Sequence, residues 1–216
     1  MKKIPKSFLW CGPKSPLITK DRQDAHPTKL VLKQYLAGRQ ATVLANQFLY
    51  YAQSFPKLRV APDVMVIFDV PPGGRDNYKV WEEGQVPQVV LEMTSAGTQR
   101  QDQEQKKLSY EQLGILEYWL FDPKGEWINK KLQGYRLQDE IYQPITDSLS
   151  QPLGLRLEVE GELLRFYRLD TGDKLLIPTE LAEKAESERQ RADDAEAKVA
   201  ILAQRLRELS IDSDSL

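Results

Sequence analysis

The chain of 216 residues contains one cysteine and one histidine, and these two scarcities exclude several kinds of site. A single Cys11 cannot form an internal disulfide or a thiolate zinc cluster. A Ser–His–Asp or Cys–His triad would depend on His26 alone, and the adjacent Pro27 is typical of a loop. The chemistry of a catalytic site is therefore expected to come from carboxylates and lysine.

The sequence also lacks a long apolar run. Charged residues make up 29% of the chain, and no stretch reaches the ~20 apolar residues that a membrane-spanning helix needs. The apolar part of the N-terminal segment, residues 8–11, is shorter than the ~7–15 residues that a signal peptide uses. We therefore expect a cytoplasmic protein without membrane contacts. The hydrophobic fraction of 41% suffices for a core and excludes wholesale disorder.

The net charge of −2 conceals an uneven distribution. Residues 1–60 hold eleven Lys and Arg but only two acids, whereas the rest of the chain is acidic. A basic region of this kind is compatible with binding to DNA or RNA. The predicted nucleic-acid contacts are Lys29, Lys33, Arg39, Lys57 and Arg59. From charge alone, a solvated N-terminal segment without a partner is the alternative.

Hydrophobic patterning predicts an α/β fold in which a mixed sheet carries helices on its faces. Helices are expected over residues 28–37 and 101–113, the second with Leu108 and Leu113 facing inward and Gly114 as its C-terminal cap. The predicted strands cover residues 42–51, 58–70, 86–93, 115–121 and parts of 127–169.

The C-terminal region differs in character, because residues 179–209 contain no Gly or Pro and their apolar positions alternate in steps of four and three. These positions are Leu181, Ala185, Glu188, Ala192, Ala195, Val199, Leu202, Leu206 and Leu209, with Glu188 as the polar exception. The spacing is that of a heptad seam, so we predict a coiled coil that joins two copies of the chain. A single amphipathic helix packed on its own domain is the alternative, although it needs a wider apolar stripe.

The predicted organisation has four parts. These are a basic N-terminal segment (1–27), a folded domain (28–177), a coiled-coil helix (178–210) and a polar tail (211–216).

Asp63, Glu92 and Lys106 occupy suggestive positions in this layout. Asp63 follows Pro62 near the start of a predicted strand, and Glu92 ends the next strand. If the two strands are neighbours, both carboxylates converge at one end of the sheet. Two carboxylates with waters suit Mg²⁺, and a nearby ammonium can orient a water or neutralise charge on a phosphorane-like transition state. The residues alone leave open that Glu92 merely pairs with Arg100 or Lys106 and that Asp63 is an exposed turn residue.

The runs VAPDVMVIF (60–68), QVVLEMTSAG (88–97) and LEYWLFDP (116–123) resemble the Uma-type restriction endonuclease family of the PD-(D/E)XK nuclease superfamily, over residues 40–170. The motif residues are Pro62-Asp63, Trp81-Glu82-Glu83, Glu92 with Ser95, Asp102 with Lys106 and Tyr110, and Glu117-Tyr118-Trp119. The resemblance implies a restriction-endonuclease-like fold and a DNA endonuclease that uses Mg²⁺ or Mn²⁺. It also implies Asp63 and Glu92 as catalytic metal ligands.

The sequence departs from the superfamily pattern two residues after Glu92, where Thr94 replaces the usual catalytic lysine. In relatives of this kind the lysine comes from the following helix, which makes Lys106 the candidate. Asp102 and Tyr110, four residues on either side of Lys106, share its helix face and are expected to support it together with Thr94. An ordinary salt bridge along this face is the alternative.

A second departure lies upstream, because residues 25–60 contain no Asp or Glu. Many such nucleases take a further acid from an earlier element, and here the nearest polar candidates are Asn46 and Gln47. The absence of such an acid weakens the prediction of a second metal site. It also keeps open a non-catalytic alternative, in which the chain retains the nuclease fold as a nucleic-acid-binding or coiled-coil module. The signature residues Trp81, Glu82 and Glu83 are expected to hold the preceding loop, residues 71–75, against the sheet.

Overall fold

A computed structural model describes residues 21–98 and 100–213, with the backbone alone for 21–26 and 209–213. Most of the predicted basic N-terminal segment and the end of the predicted polar tail lie outside the described residues. The chain divides into two compact units between Leu175 and Leu176. The first unit carries the sheets, and the second consists mainly of one long helix.

The helices are α1 (Asp21–Tyr35), α2 (Val80–Glu83), α3 (Lys107–Leu113) and α4 (Pro178–Ser213). A π-helical turn, Gln101–Lys106, leads directly into α3. The first helix begins earlier than its predicted start at residue 28 and contains Pro27. The prediction of a loop at Pro27 is therefore wrong. Pro27 lacks the backbone N–H that would donate a hydrogen bond within the helix, but the helix continues through it.

The strands are β1 (Ala41–Ala45), β2 (Leu49–Tyr50), β3 (Arg59–Val60), β4 (Val64–Phe68), β5 (Tyr78–Lys79), β6 (Val89–Met93), β7 (Glu117–Phe121), β8 (Leu132–Gln138), β9 (Ile141–Ile145), β10 (Leu149–Ser150), β11 (Leu155–Glu160) and β12 (Leu163–Arg168). Within the described residues, the main sheet has the order β1-β4-β6-β7-β8-β9. Its β6 and β7 are parallel and its other neighbours are antiparallel, so the predicted mixed sheet is confirmed.

Two smaller sheets have the orders β3-β2-β5 and β10-β11-β12. They arise partly because two predicted strands, 42–51 and 58–70, are each interrupted. Asn46 has a positive φ of 55°, which turns the chain between β1 and β2. Pro62 has no N–H for a ladder hydrogen bond and lies between β3 and β4.

Helices cover both faces of the main sheet. On one face, Tyr110 and Leu113 of α3 pack into a core with Met65, Val90 and Tyr118 from the central strands. On the other face α1 contacts β1, β4 and β6 and buries its own apolar residues. Because β6 and β7 are parallel neighbours, the π-helical turn and α3 form the crossover between them.

The π-helical turn changes which residues of this crossover face inward. Leu108, predicted to be buried, is 50% exposed, whereas Ser109 and Tyr110 are buried. A π-turn contains one more residue than an α-turn, so it shifts the side chains that follow it around the helix axis. The predicted cap is confirmed, since Gly114 has a φ of 76° and donates its N–H to the carbonyl oxygen of Glu111.

Of Trp81, Glu82 and Glu83, which were expected to hold the loop of residues 71–75, Glu83 contacts it. Arg75 donates from Nε and Nη2 to the two carboxylate oxygens of Glu83, over 2.9 and 3.0 Å, and its guanidinium also reaches the carbonyls of Pro71 and Gly73. Glu82 instead forms an ion pair with Lys79. Glu83 therefore fixes the loop, whereas the exposed Glu82 does not contact it.

Taken by itself, α4 presents part of its heptad seam to solvent. Val199, Leu202 and Leu206 are 65%, 64% and 65% exposed. Self-association of this helix stays a prediction. No helix within residues 21–98 and 100–213 combines the length and apolar character that crossing a bilayer requires.

Candidate active site

Asp63 and Glu92 face each other across two antiparallel strands. Val64 of β4 pairs with Leu91 of β6, so the next pair toward this end of the sheet is Asp63 with Glu92. Directly opposed residues of an antiparallel pair project from the same face, with Cβ atoms about 4.5–5.5 Å apart. The strand register therefore brings together the two carboxylates that the sequence singles out.

Reciprocal hydrogen bonds fix this pair. The N–H of Met93 donates to Oδ2 of Asp63 over 2.7 Å, and the N–H of Asp63 donates to Oε2 of Glu92 over 3.3 Å. Glu92 is completely buried, and Asp63 is 9% exposed. These bonds hold the two residues together at the end of the sheet, and Asp63 is the less buried of the two.

Lys106 supplies the positive charge of the cluster from the end of the π-helical turn. Its Nζ lies 2.8 Å from Oε2 of Glu92 and 2.9 Å from Oδ1 of Asp102. The side chain of Lys106 is 13% exposed and that of Asp102 is 1% exposed. Both the predicted functional cluster and the alternative of a Glu92–Lys106 ion pair require this contact, so the contact alone does not choose between them.

Two tyrosines complete the cluster on its buried side. Tyr110 of α3 donates its hydroxyl to Oε1 of Glu92 over 2.5 Å. Tyr118 of β7 donates to the backbone carbonyl of Asp102 over 2.8 Å, which ties the π-helical turn to the sheet. Sequence reasoning included Tyr110 but gave Tyr118 no part in the site, although its position in the strand places it on the face of Glu92.

The acid–base properties of the cluster follow from burial and mutual charge. Burial raises the pKa of Glu92 well above its usual range, with Lys106 opposing the shift. Burial also raises the pKa of Asp63, again opposed by Lys106. For Lys106, burial alone would lower the pKa, but the charges of Glu92, Asp102 and Asp63 raise it above the ordinary value. The amine therefore stays an ammonium at neutral pH.

The donor set of this cluster fits a hard divalent cation. Asp63 and Glu92 offer adjacent carboxylates, and Oδ2 of buried Asp102 has no hydrogen-bond partner within the described part of the chain. Among the residues that the structure describes, no three His, Cys, Asp or Glu side chains form a metal-binding group. A cation here would depend on two carboxylates and water, a combination that Mg²⁺ accepts because it retains several waters.

Thr94 lies on the same face as Glu92 but outside the hydrogen-bonded cluster. It is 3% exposed, and within the described residues its Oγ1 has no hydrogen-bond partner. Within the described residues its hydroxyl therefore makes no hydrogen bond to Lys106, which it was expected to support. Asn46 turns the chain after β1, and Gln47 donates to the carbonyl of Arg75, so neither adds a carboxylate to the cluster.

The predicted nucleic-acid contacts are distributed over separate elements. Lys29 and Lys33 belong to α1, on the face of the main sheet opposite α3. The guanidinium of Arg39 lies 4.8 Å from the ring centroid of Tyr35. Lys57 is exposed ahead of β3. The structure therefore does not gather these residues into one patch around the carboxylates.

Arg59 has contacts within the protein that its sequence did not reveal. Its guanidinium lies 4.1 Å from the ring centroid of Phe48 and donates from Nη1 to the hydroxyl of Tyr50 over 2.9 Å. A guanidinium over an aromatic face is attracted by the ring quadrupole. Arg59 thus helps to hold β2 and β3 together.

The sequence did not indicate that two further buried carboxylates, Glu117 and Asp122, are centres of hydrogen-bond networks. Glu117 accepts from Arg136, from the indole of Trp119 and from the N–H of Gln151. Asp122 accepts from the backbone N–H groups of Lys124, Gly125, Trp127 and Ile128, which closes the loop after β7. The signal that could have found Asp122 is its position before Pro123, a typical turn sequence.

Comparisons with known proteins place the chain in a family. A family model described as "Uma2: Putative restriction endonuclease" matches residues 28–165. Among solved structures, a chain described as a "putative nuclease belonging to DUF820 from Anabaena variabilis ATCC 29413" is similar at 14% identity and a TM-score of 0.46, covering 64% of this chain and 74% of that one. No curated protein matches the chain. Because the family match spans more than half of its residues, the chain belongs to the Uma2 family and has the predicted restriction-endonuclease-like α/β fold.

Proposed function

We propose that this protein is a metal-dependent endonuclease that hydrolyses DNA phosphodiester bonds. The observation that carries the proposal is the juxtaposition of Asp63 and Glu92 at one sheet end, where the N–H of Asp63 donates to Glu92, the N–H of Met93 donates to Asp63, and the Lys106 ammonium lies 2.8 Å from Glu92. Family membership supports a nuclease, and the carboxylate pair supports a divalent cation as its cofactor.

In the proposed reaction, Asp63 and Glu92 would hold Mg²⁺, or Mn²⁺ in its place. When bound, the cation would supply Lewis-acid polarisation of the scissile phosphate and lower the pKa of a coordinated water. The oxygen of a water forms a bond to phosphorus while the bond to the leaving deoxyribose oxygen breaks; the attacking water gives its proton to solvent, and the leaving oxygen takes up a proton from solvent. Because Lys106 stays charged, it serves to orient the water and to stabilise negative charge on the phosphate, and it does not act as a base.

Asp102 and Tyr110 are positioning residues in this proposal. Asp102 contacts Nζ of Lys106, and Tyr110 contacts the other oxygen of Glu92. Each fixes one group of the cluster, so the reacting atoms meet a preorganised arrangement. The hydroxyl of Tyr110 remains a donor at physiological pH, because burial and the charge of Glu92 raise its pKa.

The DNA contacts and the oligomeric state are the less constrained parts of the proposal. Lys29, Lys33, Arg39 and Lys57 remain candidates for phosphate contacts, which would make DNA binding weaken steeply with salt.

The exposed apolar positions of α4 favour a homodimer, whose two active sites would act on the two strands of a duplex. A cytoplasmic location stays a prediction from the sequence.

A non-catalytic alternative is favoured by one observation. Both carboxylate oxygens of Glu92 already accept hydrogen bonds from protein donors, Lys106 and Tyr110 among them. A cluster satisfied in this way can serve stability alone, with the fold used for nucleic-acid binding or for assembly through α4. Cleavage that depends on Asp63 and Glu92 would exclude this alternative.

The proposed function is tested by incubating purified protein with supercoiled plasmid in Mg²⁺, in Mn²⁺ and in EDTA. We expect nicked or linear plasmid with either cation and none in EDTA. Asp63→Asn and Glu92→Gln should each lower the rate at least about 100-fold, whereas Asp76→Asn, a change at an exposed acid, should not change it. Cleavage that persists in both variants would overturn the assignment.

A further inference from the structure

A cavity of about 180 Å³ opens beside the carboxylate cluster. It is lined by residues 93–97, which continue the chain directly from Glu92, and by residues 122–124 and Trp127 from the loop after β7. A cavity needs only ~10–15 Å³ to hold one water. This one therefore has room for an organic group immediately next to the proposed reaction centre.

The two walls of the cavity are held by the fold. Buried Asp122 accepts hydrogen bonds from the N–H groups of Lys124 and Trp127, which fixes the second wall. The carbonyl of Trp127 accepts from Gln103, a residue of the π-helical turn that also carries Lys106. The wall that contains Trp127 is thus connected to the element that supplies the catalytic lysine.

Trp127 and Lys124 give the second wall of the cavity an aromatic ring and a positive charge. Trp127 is half-buried, Lys124 is exposed, and both line the cavity. A base can stack on an aromatic side chain, and a lysine ammonium attracts a phosphate.

We propose that this cavity binds a nucleobase of the substrate strand, next to the phosphate under attack. Trp127 would stack on the base, and Lys124 would attract the attached phosphate. Stacking on an aromatic side chain accepts any base, so this site would bind without sequence preference. The proposal rests on the proposed nuclease function and adds a substrate contact to it.

The test is a titration of the full-length protein, in EDTA, with deoxynucleoside 5′-monophosphates, deoxyribose 5-phosphate and inorganic phosphate. Binding is followed by NMR through the Trp127 indole N–H signal, which is assigned by its disappearance in Trp127→Phe. We expect nucleotides to shift this signal and to bind at least about fivefold more tightly than deoxyribose 5-phosphate.

Variants then separate the contributions of the cavity residues. Trp127→Ala should weaken nucleotide binding about 5- to 150-fold, as measured by isothermal titration calorimetry. Trp127→Phe, measured in the same way, should retain most of the binding. Lys124→Ala should weaken the binding of every phosphate, and Lys130→Ala, at an exposed lysine of the same loop that does not line the cavity, should have no effect.

The outcomes distinguish this inference from the nuclease proposal. Asp63→Asn should abolish plasmid cleavage but bind nucleotides as the wild type does, because Asp63 does not line the cavity. If nucleotides bind no better than deoxyribose 5-phosphate, or bind equally well to folded Trp127→Ala, the base site is refuted even if plasmid is cleaved. If nucleotides bind as expected but plasmid is not cleaved, the catalytic proposal fails and the base site stands.

Discussion

At the scale of single residues, the candidate site is a buried cluster of three carboxyl groups and one lysine. The Nζ of Lys106 contacts Glu92 and Asp102, Asp63 is hydrogen-bonded to Glu92, and all of these side chains lie largely away from water. Burial of charge is costly unless partners compensate for it. Because the cluster has three carboxyl groups and one lysine, a divalent cation would compensate the charge of carboxylates that the lysine alone does not balance.

The contribution of Lys106 to stability can be measured directly. Lys106→Met leaves Glu92 and Asp102 buried without their counter-charge, so we expect the free energy of unfolding to fall by about 3–5 kcal/mol. The measurement is urea denaturation followed by circular dichroism. Lys130→Met, at an exposed lysine, should change stability by less than about 0.5 kcal/mol.

A second variant separates the charge effect from lost packing. Adding Glu92→Gln to Lys106→Met removes one of the uncompensated acids and should restore part of the lost stability. Equal stability of wild type and Lys106→Met would show that the ion pair does not support the fold.

The raised pKa of Glu92 predicts a pH dependence. In the unfolded chain this group titrates near 4.5, whereas burial keeps it protonated to higher pH in the folded state. Between these pKa values the folded state binds more protons, so stability falls as pH rises. We therefore expect the unfolding free energy of wild type, relative to Glu92→Gln, to be constant below pH 4.5 and to decrease above it, by at most about 1.4 kcal/mol per pH unit. A difference that grows between pH 4.5 and 8 would contradict this account.

The sequence predicted that Asp63 and Glu92 converge, because local patterns indicate where the two strands end and the prediction assumed that these strands are neighbours. Their service as metal ligands stays a prediction. The cavity beside Thr94 was not predictable, because its second wall comes from a loop about 30 residues later in the chain. The stacking of Arg59 on Phe48 also depends on pairing between two-residue strands, which carry almost no local signal.

At the scale of elements, the close approach of β7 and β8 depends on a glycine. Gly134 pairs with Trp119, and a Cβ at Gly134 would lie 2.5 Å from the indole ring. The ring cannot easily move, because its Nε1 donates to buried Glu117 over 3.1 Å. Trp119 therefore fits in the sheet because the residue opposite it on the neighbouring strand is a glycine, which has no side chain.

Gly134→Ala should lower the free energy of unfolding by about 1–3 kcal/mol through overpacking. The matched control is Gly74→Ala, where an added Cβ meets nothing within 4 Å. Thermal unfolding of the two variants makes the comparison. A melting temperature of Gly134→Ala equal to that of the control would contradict the packing argument.

Prediction at this scale succeeded for the central strands and failed at the π-helical turn. The runs that became β4, β6 and β7 are continuous and rich in Val, Ile and aromatic residues, which favours buried strands. A π-turn differs from an α-turn by one residue, and no sequence pattern distinguishes the two. The inward orientation predicted for Leu108 failed for this reason, while Tyr110 still reaches Glu92.

At the scale of the whole molecule, assembly through α4 is the main untested feature. The heptad spacing predicts a dimer, and the exposed apolar side chains of α4 are consistent with it. Leu202→Lys would place a charge in the seam and should convert dimer to monomer in light scattering. Gln204→Lys, outside the seam, should leave the mass unchanged, and a monomeric wild type would refute the coiled coil.

The central claim is that Asp63 and Glu92 form a divalent-cation site, and the most direct measurement is Mn²⁺ titration of the metal-free protein followed by electron paramagnetic resonance of the free ion. We predict one bound Mn²⁺ per chain, displaced by excess Mg²⁺. Asp63→Asn and Glu92→Gln should each weaken binding at least tenfold, whereas Asp76→Asn should bind as the wild type does. No binding by wild type, or equal binding by all three variants, would contradict the account.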